Sequence, residues 1–312
     1  MAKTVAIQMD PISGIDIDKD STFVLAMEAQ RRGYDLYHYT PAELSFHHTK
    51  VIATAQPLEV RREYGNHATI GPTESIDLAS VDVVLMRQDP PFDMAYITAT
   101  HLLEHVHPQT LVVNDPINVR NAPEKLLITY FPELMPQTLI TSAADDVLAF
   151  RREYKDIIVK PLFGNGGSGV FHITPEDENL NVLIEMFQGI SREPMIVQQY
   201  LPEVRQGDKR IIIVDGKPAG GVMRVPQAGD ARANFHAGGN AEQGPLTNRE
   251  LEICEAIGPL LKEQGLIFVG IDVIGQFLTE INVTSPTGIQ EINHLDGINI
   301  EAMIWDAIES RL

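Results

Sequence analysis

The chain has 312 residues, 44% hydrophobic and 21% charged, the profile of an ordinary globular protein long enough for two or three packed units. Its net charge of −19 excludes a nucleic-acid partner, so an anionic ligand would have to be met by a few placed lysines and arginines or by metal ions. No apolar run approaches the roughly 20 residues of a membrane span, the start MAK leads directly into a strand, and one cysteine allows no internal disulfide. The expectation is a cytoplasmic protein without a membrane partner, and Cys254 reads as a small core residue of a helix.

Residues 3–9 (KTVAIQM) read as a buried strand, and Asp10-Pro11 opens a loop. From Ser21 the spacing of Phe23, Ala26, Met27, Ala29 and Gln30 is helical, stopping at Arg31-Arg32-Gly33, and residues 34–39 return as a strand. This β-α-β opening carries no GxGxxG, so it is not read as a dinucleotide site. Residues 40–78 are polar and read as a hairpin or edge region. A strand over 81–86 ends on Arg87-Gln88-Asp89-Pro90-Pro91-Phe92-Asp93. Open α/β sheets bind ligands at such carboxyl ends, so Arg87 and Asp89 are candidates beside the plainer reading of a rigid turn before a helix over 94–105. His101, His105 and His107 have metal-like spacing but no cysteine and no carboxylate except Glu104, and read as a surface helix end.

After a strand over 110–113, the run Arg120-Asn121-Ala122-Pro123-Glu124-Lys125 changes the rhythm. Lys125 is expected in the first turn of an amphipathic helix with Leu126, Leu127, Tyr130 and Phe131, where a cation opposes the dipole and so points to a ligand. A strand over 137–141 is followed by Ser142-x-x-Asp145 as a helix cap. Then comes IIVKPLFGNGGSGV over 157–170: a strand bringing Lys160, a loop with Gly164, Gly166, Gly167 and Gly169, and a second strand. Glycine permits positive φ and close approach of N–H groups to an oxyanion, and lysine adds a point charge. The spacing fits neither nucleotide motif that opens a helix, so the choice is between a phosphate clamp joining two strands and a flexible turn.

Residues 180–187 read as helix and 194–200 as a strand ending in Leu201-Pro202. Asp208, Lys209 and Arg210 lead into a strand over 211–214, and Asp215-Gly216 turns it back over 218–225. Residues 227–245 read as one long loop of the lid kind, with Arg224, Arg232 and Asn234 in or beside it. Thr247-x-x-Glu250 is a capping box for a helix to 263. Residues 266–274 and 277–283 form an antiparallel pair carrying Asp272, Glu280 and Asn282. Residues two apart on a strand share a face, and two carboxylates with an amide converging there would repel without a hard cation, for which Mg²⁺ is suited. A solvated polar face is the alternative. A hydroxyl-rich loop over 284–288 and a helix over 300–308 end the chain.

This order of parts resembles the ATP-grasp ligases. The segments MDPI, KDSTF, EAQRRG, MRQDPPFD, NDP, KPLFGNGGSGV and GLIFVGIDVIG…LTEINVTSPTGIQEI are similar to the bacterial type of glutathione synthetase, from residue 5 to the final helix. One departure is Phe163, where relatives often carry Asp; the backbone cradle is unaffected. The resemblance implies an α/β fold: an N-terminal α/β substrate (pre-ATP-grasp) domain over 1–122, then a two-lobed α+β ATP-grasp domain over 123–312. In the latter a nucleotide lobe spans about 123–200 and a metal and substrate lobe about 201–312.

The same resemblance implies ATP and Mg²⁺, with Mn²⁺ as a substitute, γ-glutamylcysteine and glycine as substrates, and a homotetramer. Lys125 and Lys160 would bind phosphates under a lid of Gly164, Gly166, Gly167, Ser168 and Gly169. Gln198, Gln199, Tyr200 and Leu201 would read adenine, Asp208 the ribose, and Asp272, Glu280 and Asn282 would hold metal. Arg210, Arg224 and Asn234 would stabilise the reacting charge. Arg87, Asp89, Ser285, Pro286, Thr287 and Gly288 would meet the substrates. A glutamate or D-alanine ligase of the same fold is one rival; a nucleotide-binding regulator is another, and the intact Asp272-Glu280-Asn282 set argues against it.

Overall fold

The computed structural model describes residues 3–226 and 240–312. An eight-stranded sheet holds β1 (Thr4–Gln8), β2 (Asp35–Tyr39), β3 (Leu44–His47), β4 (Lys50–Val60), β5 (Ala68–Ile70), β6 (Glu74–Asp77), β7 (Val83–Met86) and β8 (Leu111–Val113). Its path is β3-β4-β2-β1-β7-β8, with β5 and β6 paired to β4. Strands β2, β1, β7 and β8 are parallel, and the near-continuous apolar runs of β1, β7 and β8 follow from burial on both faces. The polar stretch over 40–78 is indeed hairpins, but β4 also joins the main sheet antiparallel to β2. Helices α1 (Ser21–Arg31), α2 (Met94–Glu104) and α3 (Pro116–Asn121) belong to this unit. Asp20 caps α1 by accepting from the Phe23 N–H at 2.6 Å.

A second, antiparallel sheet orders β9 (Thr138–Thr141), β10 (Ile157–Pro161), β11 (Phe171–Ile173) and β12 (Met195–Gln199) as β11-β10-β12-β9. Ile157, Val159, Met195 and Val197 pack with Val147 of α4 (Ala144–Tyr154) and Leu180, Leu183 and Ile184 of α5 (Leu180–Ile190), a core of its own. Strand alternation therefore turns Ile158, Lys160 and Gln198 to the opposite face. Ser142 does not cap α4 as expected. Ala143 takes the N-cap position with no side-chain cap, and Thr141 orders the approach to it, accepting from the Ala143 N–H and donating to Asp146, both at 3.0 Å.

The third sheet, also antiparallel, orders β13 (Asp208–Val214), β14 (Lys217–Val225), β15 (Asn240–Gln243), β16 (Phe268–Ile274) and β17 (Phe277–Asn282) as β15-β14-β13-β16-β17. Part of the expected long loop is thus strand β15; Arg232 and Asn234 lie outside the described residues. The chain closes with α6 (Asn248–Glu263), α7 (Ile289–Asp296) and α8 (Ile300–Glu309), and the capping box at Thr247 and Glu250 forms. The sequence reading missed α7, eight residues with two buried apolar positions, too short to show a period. Lys125 precedes a single 3-10 turn over Leu127–Tyr130 rather than entering a helix, because Pro123 and Pro132 bound the segment.

This sheet is welded to the first unit. Trp305 of α8 is fully buried and donates its indole N–H to the Leu25 carbonyl of α1 at 2.9 Å. The Asn114 amide donates to the Phe268 and Val283 carbonyls at 2.7 and 3.0 Å and accepts from the Phe268 N–H at 2.9 Å, satisfying strand ends that β8 brings near. Cys254 is buried in α6. Among the described residues no helix is long and apolar enough to cross a membrane.

Candidate active site

The site lies where the lysine-bearing face of the second sheet meets the third. Arg224 sits opposite Asp208, Arg210 opposite Asp272, and Asp272 opposite Glu280, so cross-strand pairing lines up one charged row over β14, β13, β16 and β17. An irregularity after Asp272 sets that register. Asn282 pairs with Gly270, where a side chain would press on Pro286 at 3.0 Å and on Arg210 at 3.2 Å. Glycine there lets Arg210 cross the sheet to its partner.

The row's inner end is a buried ion cluster. Arg210 grips Asp272 bidentately at 2.5 and 2.9 Å; Arg224 reaches Asp208 at 2.5 Å and Asp272 at 3.0 Å. Burial alone would raise Asp272, but the two guanidinium groups outweigh it and hold the carboxyl well below the usual range. Burial pushes Asp208 up to about 6, against the pull of Arg224. Two cations face two carboxylates, so the cluster is close to neutral.

The outer end is looser and is assembled from several elements. Lys125 and Lys160 each lie 3.6 Å from Glu280 Oε1, beyond hydrogen-bond length, so both ammonium groups keep donors for an anion. Lys125 also pairs with Glu124 and donates to the Gly164 carbonyl at 2.5 Å. Burial, with the Glu280 charge, pushes Glu124 up to about 7 although Lys125 pulls the other way. Burial pulls Lys160 down, and Glu280 opposes it. Above them the loop turns through Gly166, Gly167 and Gly169 at φ of 61°, 78° and 70°, which L side chains rarely adopt.

These groups border one cavity of about 490 Å³. Around it stand Lys125, Lys160, Gly164, Gly166, Gly167, Ser168, Gln198, Gln199, Tyr200, Leu201, Asp208, Arg210, Arg224, Asp272, Glu280, Asn282, Asp89, Ser285, Pro286 and Thr287. Gly169 closes the glycine loop, and Gly288 opens α7 in a left-handed turn; neither borders the cavity. Arg87 is buried behind it: its guanidinium donates to Thr22 and to the Pro286 carbonyl, both at 3.0 Å, and its own carbonyl accepts from Ser285 at 2.7 Å. It braces the 284–288 loop against the first unit. Asn234 lies outside the described residues.

The sequence reading did not single out Glu124 or His172. The His172 ring stacks on Tyr200 at 3.9 Å, at the apolar end of the cavity with Ile158, Val204 and Ile274. Neither has a local signal: Glu124 becomes a site residue because its carbonyl takes the Ile281 N–H at 3.0 Å, docking it beside β17. The three histidines stay apart from the site; His101 leans on Glu104 and His107 on Asp115.

Asp272, Glu280 and Asn282 offer only oxygen ligands, with Asn282 3.4 Å from Asp272, a set that fits a hard divalent cation in kind. Among the described residues no cluster of three His, Cys, Asp or Glu offers another metal site.

Residues 4–120 match the N-terminal domain of prokaryotic glutathione synthetase, and residues 124–297 match its ATP-grasp domain. The chain belongs to the prokaryotic glutathione synthetase family. It is 59% identical to glutathione synthetase of Brucella melitensis over 100% of both chains, and 57% to that of Agrobacterium fabrum over 99% of this chain and 97% of the relative. Glutathione synthetase of Vibrio parahaemolyticus is 44% identical over 99% and 98%. Among solved structures, D-cycloserine synthetase DcsG superposes with a TM-score of 0.67 at 15% identity, covering 99% of this chain and 100% of that one. D-alanyl-alanine synthetase A of Vibrio cholerae gives 0.65 at 13%, covering 99% and 98%. Those two show the ATP-grasp fold alone. Whole-chain kinship at this identity makes the protein an ATP-dependent ligase of glutathione synthesis, and a glutamate or D-alanine ligase is not favoured.

Proposed function

We propose that the cavity holds ATP along its length, adenine at the His172–Tyr200 end and triphosphate under the glycine loop. Gln198, Gln199, Tyr200 and Leu201 edge the base, and Asp208 meets the ribose. Lys125, Lys160 and Arg210 meet the phosphates. Asp272, Glu280 and Asn282 hold magnesium, or manganese in its place; the ion's part is to neutralise phosphate charge. The observation that carries this reading is the convergence of four cations and a glycine loop on Asp272 and Glu280 in one cavity. A phosphate chain lets each lysine exchange Glu280 for a stronger anion.

A carboxylate of γ-glutamylcysteine attacks the γ-phosphorus, ADP leaves, and the amine of glycine then displaces phosphate from the acyl carbon. No protein nucleophile is needed; the residues position the reactants and neutralise charge. Asp89 and the 284–288 loop, braced by Arg87, border the end where the dipeptide and glycine belong. Asn234 is assigned with Arg210 and Arg224 to the developing charge. A cytoplasmic homotetramer completes the proposal.

Phosphate release from Mg-ATP, with γ-glutamylcysteine and glycine added singly and together, tests it. Release that needs both, with a thiol tripeptide accumulating in step, is the expected result. Release triggered by another amine would overturn the substrate assignment and leave the nucleotide site standing.

A further inference from the structure

Phe163 lies in the turn two residues past β10, where the glycine loop begins, and its ring faces the first unit. Its ring lies 6.5 Å from that of Phe92 at 21°, an offset stack. Phe92 follows Asp89-Pro90-Pro91 of the first unit and leans on Tyr96 at 5.3 Å. Pro90, Pro123 and Leu162 border the same small pocket as the two rings, with Glu124, Asn165 and Thr284 as its polar edge. The corner beside Phe163 is tight as well: a Cβ on Gly164 would lie 2.5 Å from Pro161 Cγ, and the Gly164 carbonyl is held by Lys125 at 2.5 Å. The loop is thus fastened twice, by a charge on the nucleotide side and by an aromatic pair on the substrate side. The Asp89 N–H is itself tied to Asp10 at 2.9 Å, so the pair anchors in ordered backbone.

We infer that Phe92 and Phe163 form a clasp that keeps the glycine loop shut over the acyl phosphate until glycine arrives, Phe163 acting as a positioning residue. The inference rests on the proposal that this loop covers the phosphates. An open loop admits water: its oxygen bonds to the acyl carbon, the bond from that carbon to the phosphate oxygen breaks, and phosphate leaves with the electron pair. The original carboxylate returns, one of the water's protons goes to the departing phosphate and the other to solvent, and one ATP is spent without a peptide bond. The clasp therefore sets coupling rather than chemistry.

The experiment compares phosphate released with tripeptide formed in Phe163→Ala, Phe92→Ala, the double variant and Phe163→Tyr. Each single alanine is expected to raise the ratio about two- to tenfold, the double variant no further than either single one, and tyrosine to restore it. Unchanged ratios in both singles, or losses that multiply in the double variant, overturn the clasp. Failure of the underlying proposal looks different: Lys160→Ala would then bind ATP as tightly as the parent chain.

Discussion

The two sheets that face each other across the cavity are built on different principles. The four-stranded sheet carries its own core, Val147, Ile157, Val159 and their neighbours, while the five-stranded sheet shares both larger cores with the N-terminal unit. The charges follow the same division. Asp272 is gripped by two arginines of its own sheet at 2.5 to 3.0 Å, whereas Glu280 is met by lysines at 3.6 Å, one of them from the other sheet. A rigid guanidinium pair suits a fixed floor; ammonium groups on long stems suit a face that must release one anion for another. A separate core is also what a lobe needs to move as a body over its ligand.

The largest expected effect breaks the fixed side. Asp272→Ala strands the buried Arg210 and should cost about 3–5 kcal/mol, read as a lower urea midpoint at unchanged slope. A midpoint within experimental scatter of the parent would mean that the cluster is not a stabilising floor. Next, Glu280→Gln keeps the shape and removes the charge the lysines share. Turnover should fall by about 10²–10³ while ATP binding stays measurable; near-parental turnover removes Glu280 from the metal assignment.

Third, Ile157→Ala opens a cavity in the separate core, at about 2–5 kcal/mol. Amide exchange should quicken in 138–199 and stay unchanged in β13 and β16; a rise spread evenly over all three sheets would deny the lobe its independence. The smallest effect sharpens the weld. Glu28 takes both Arg31 and Arg32, and Arg32 reaches Glu309 of α8. Arg31 foremost holds its carboxyl below the ordinary 4.5, so the stability it adds is present above that pH and is lost as pH falls through the lowered value. Glu28→Gln should therefore cost about 1 kcal/mol at pH 7, and the gap to the parent should close in acid.

The elements that could be read from the residues are those whose cause is local. Alternation and apolar runs revealed β1, β2, β7, β10 and β13, the capping box revealed the start of α6, and Gly275-Gln276 revealed the β16–β17 hairpin with Asp272 facing Glu280. Strand β15 stayed hidden because NAEQ has no apolar face and is a strand only through its ladder to β14. The residue types of the candidate site were legible for the same local reason, but glycines before a strand also make a turn and Asp, Glu and Asn on paired strands also make a polar face, so local pattern alone left both readings open.

What the sequence by itself determined, then, was the order of parts, because periodicity, caps and motif spacing act over a few residues; the family and its chemistry came from the resemblance of whole motifs. Only the tertiary structure decided which charges rest on which. Arg87 became a brace instead of a cavity wall, Glu124 entered the site, Phe163 found Phe92, and Lys125 and Lys160 met at one carboxylate. Those partners lie tens to hundreds of residues apart, and their pairing follows from burial and sheet register, which no local pattern encodes.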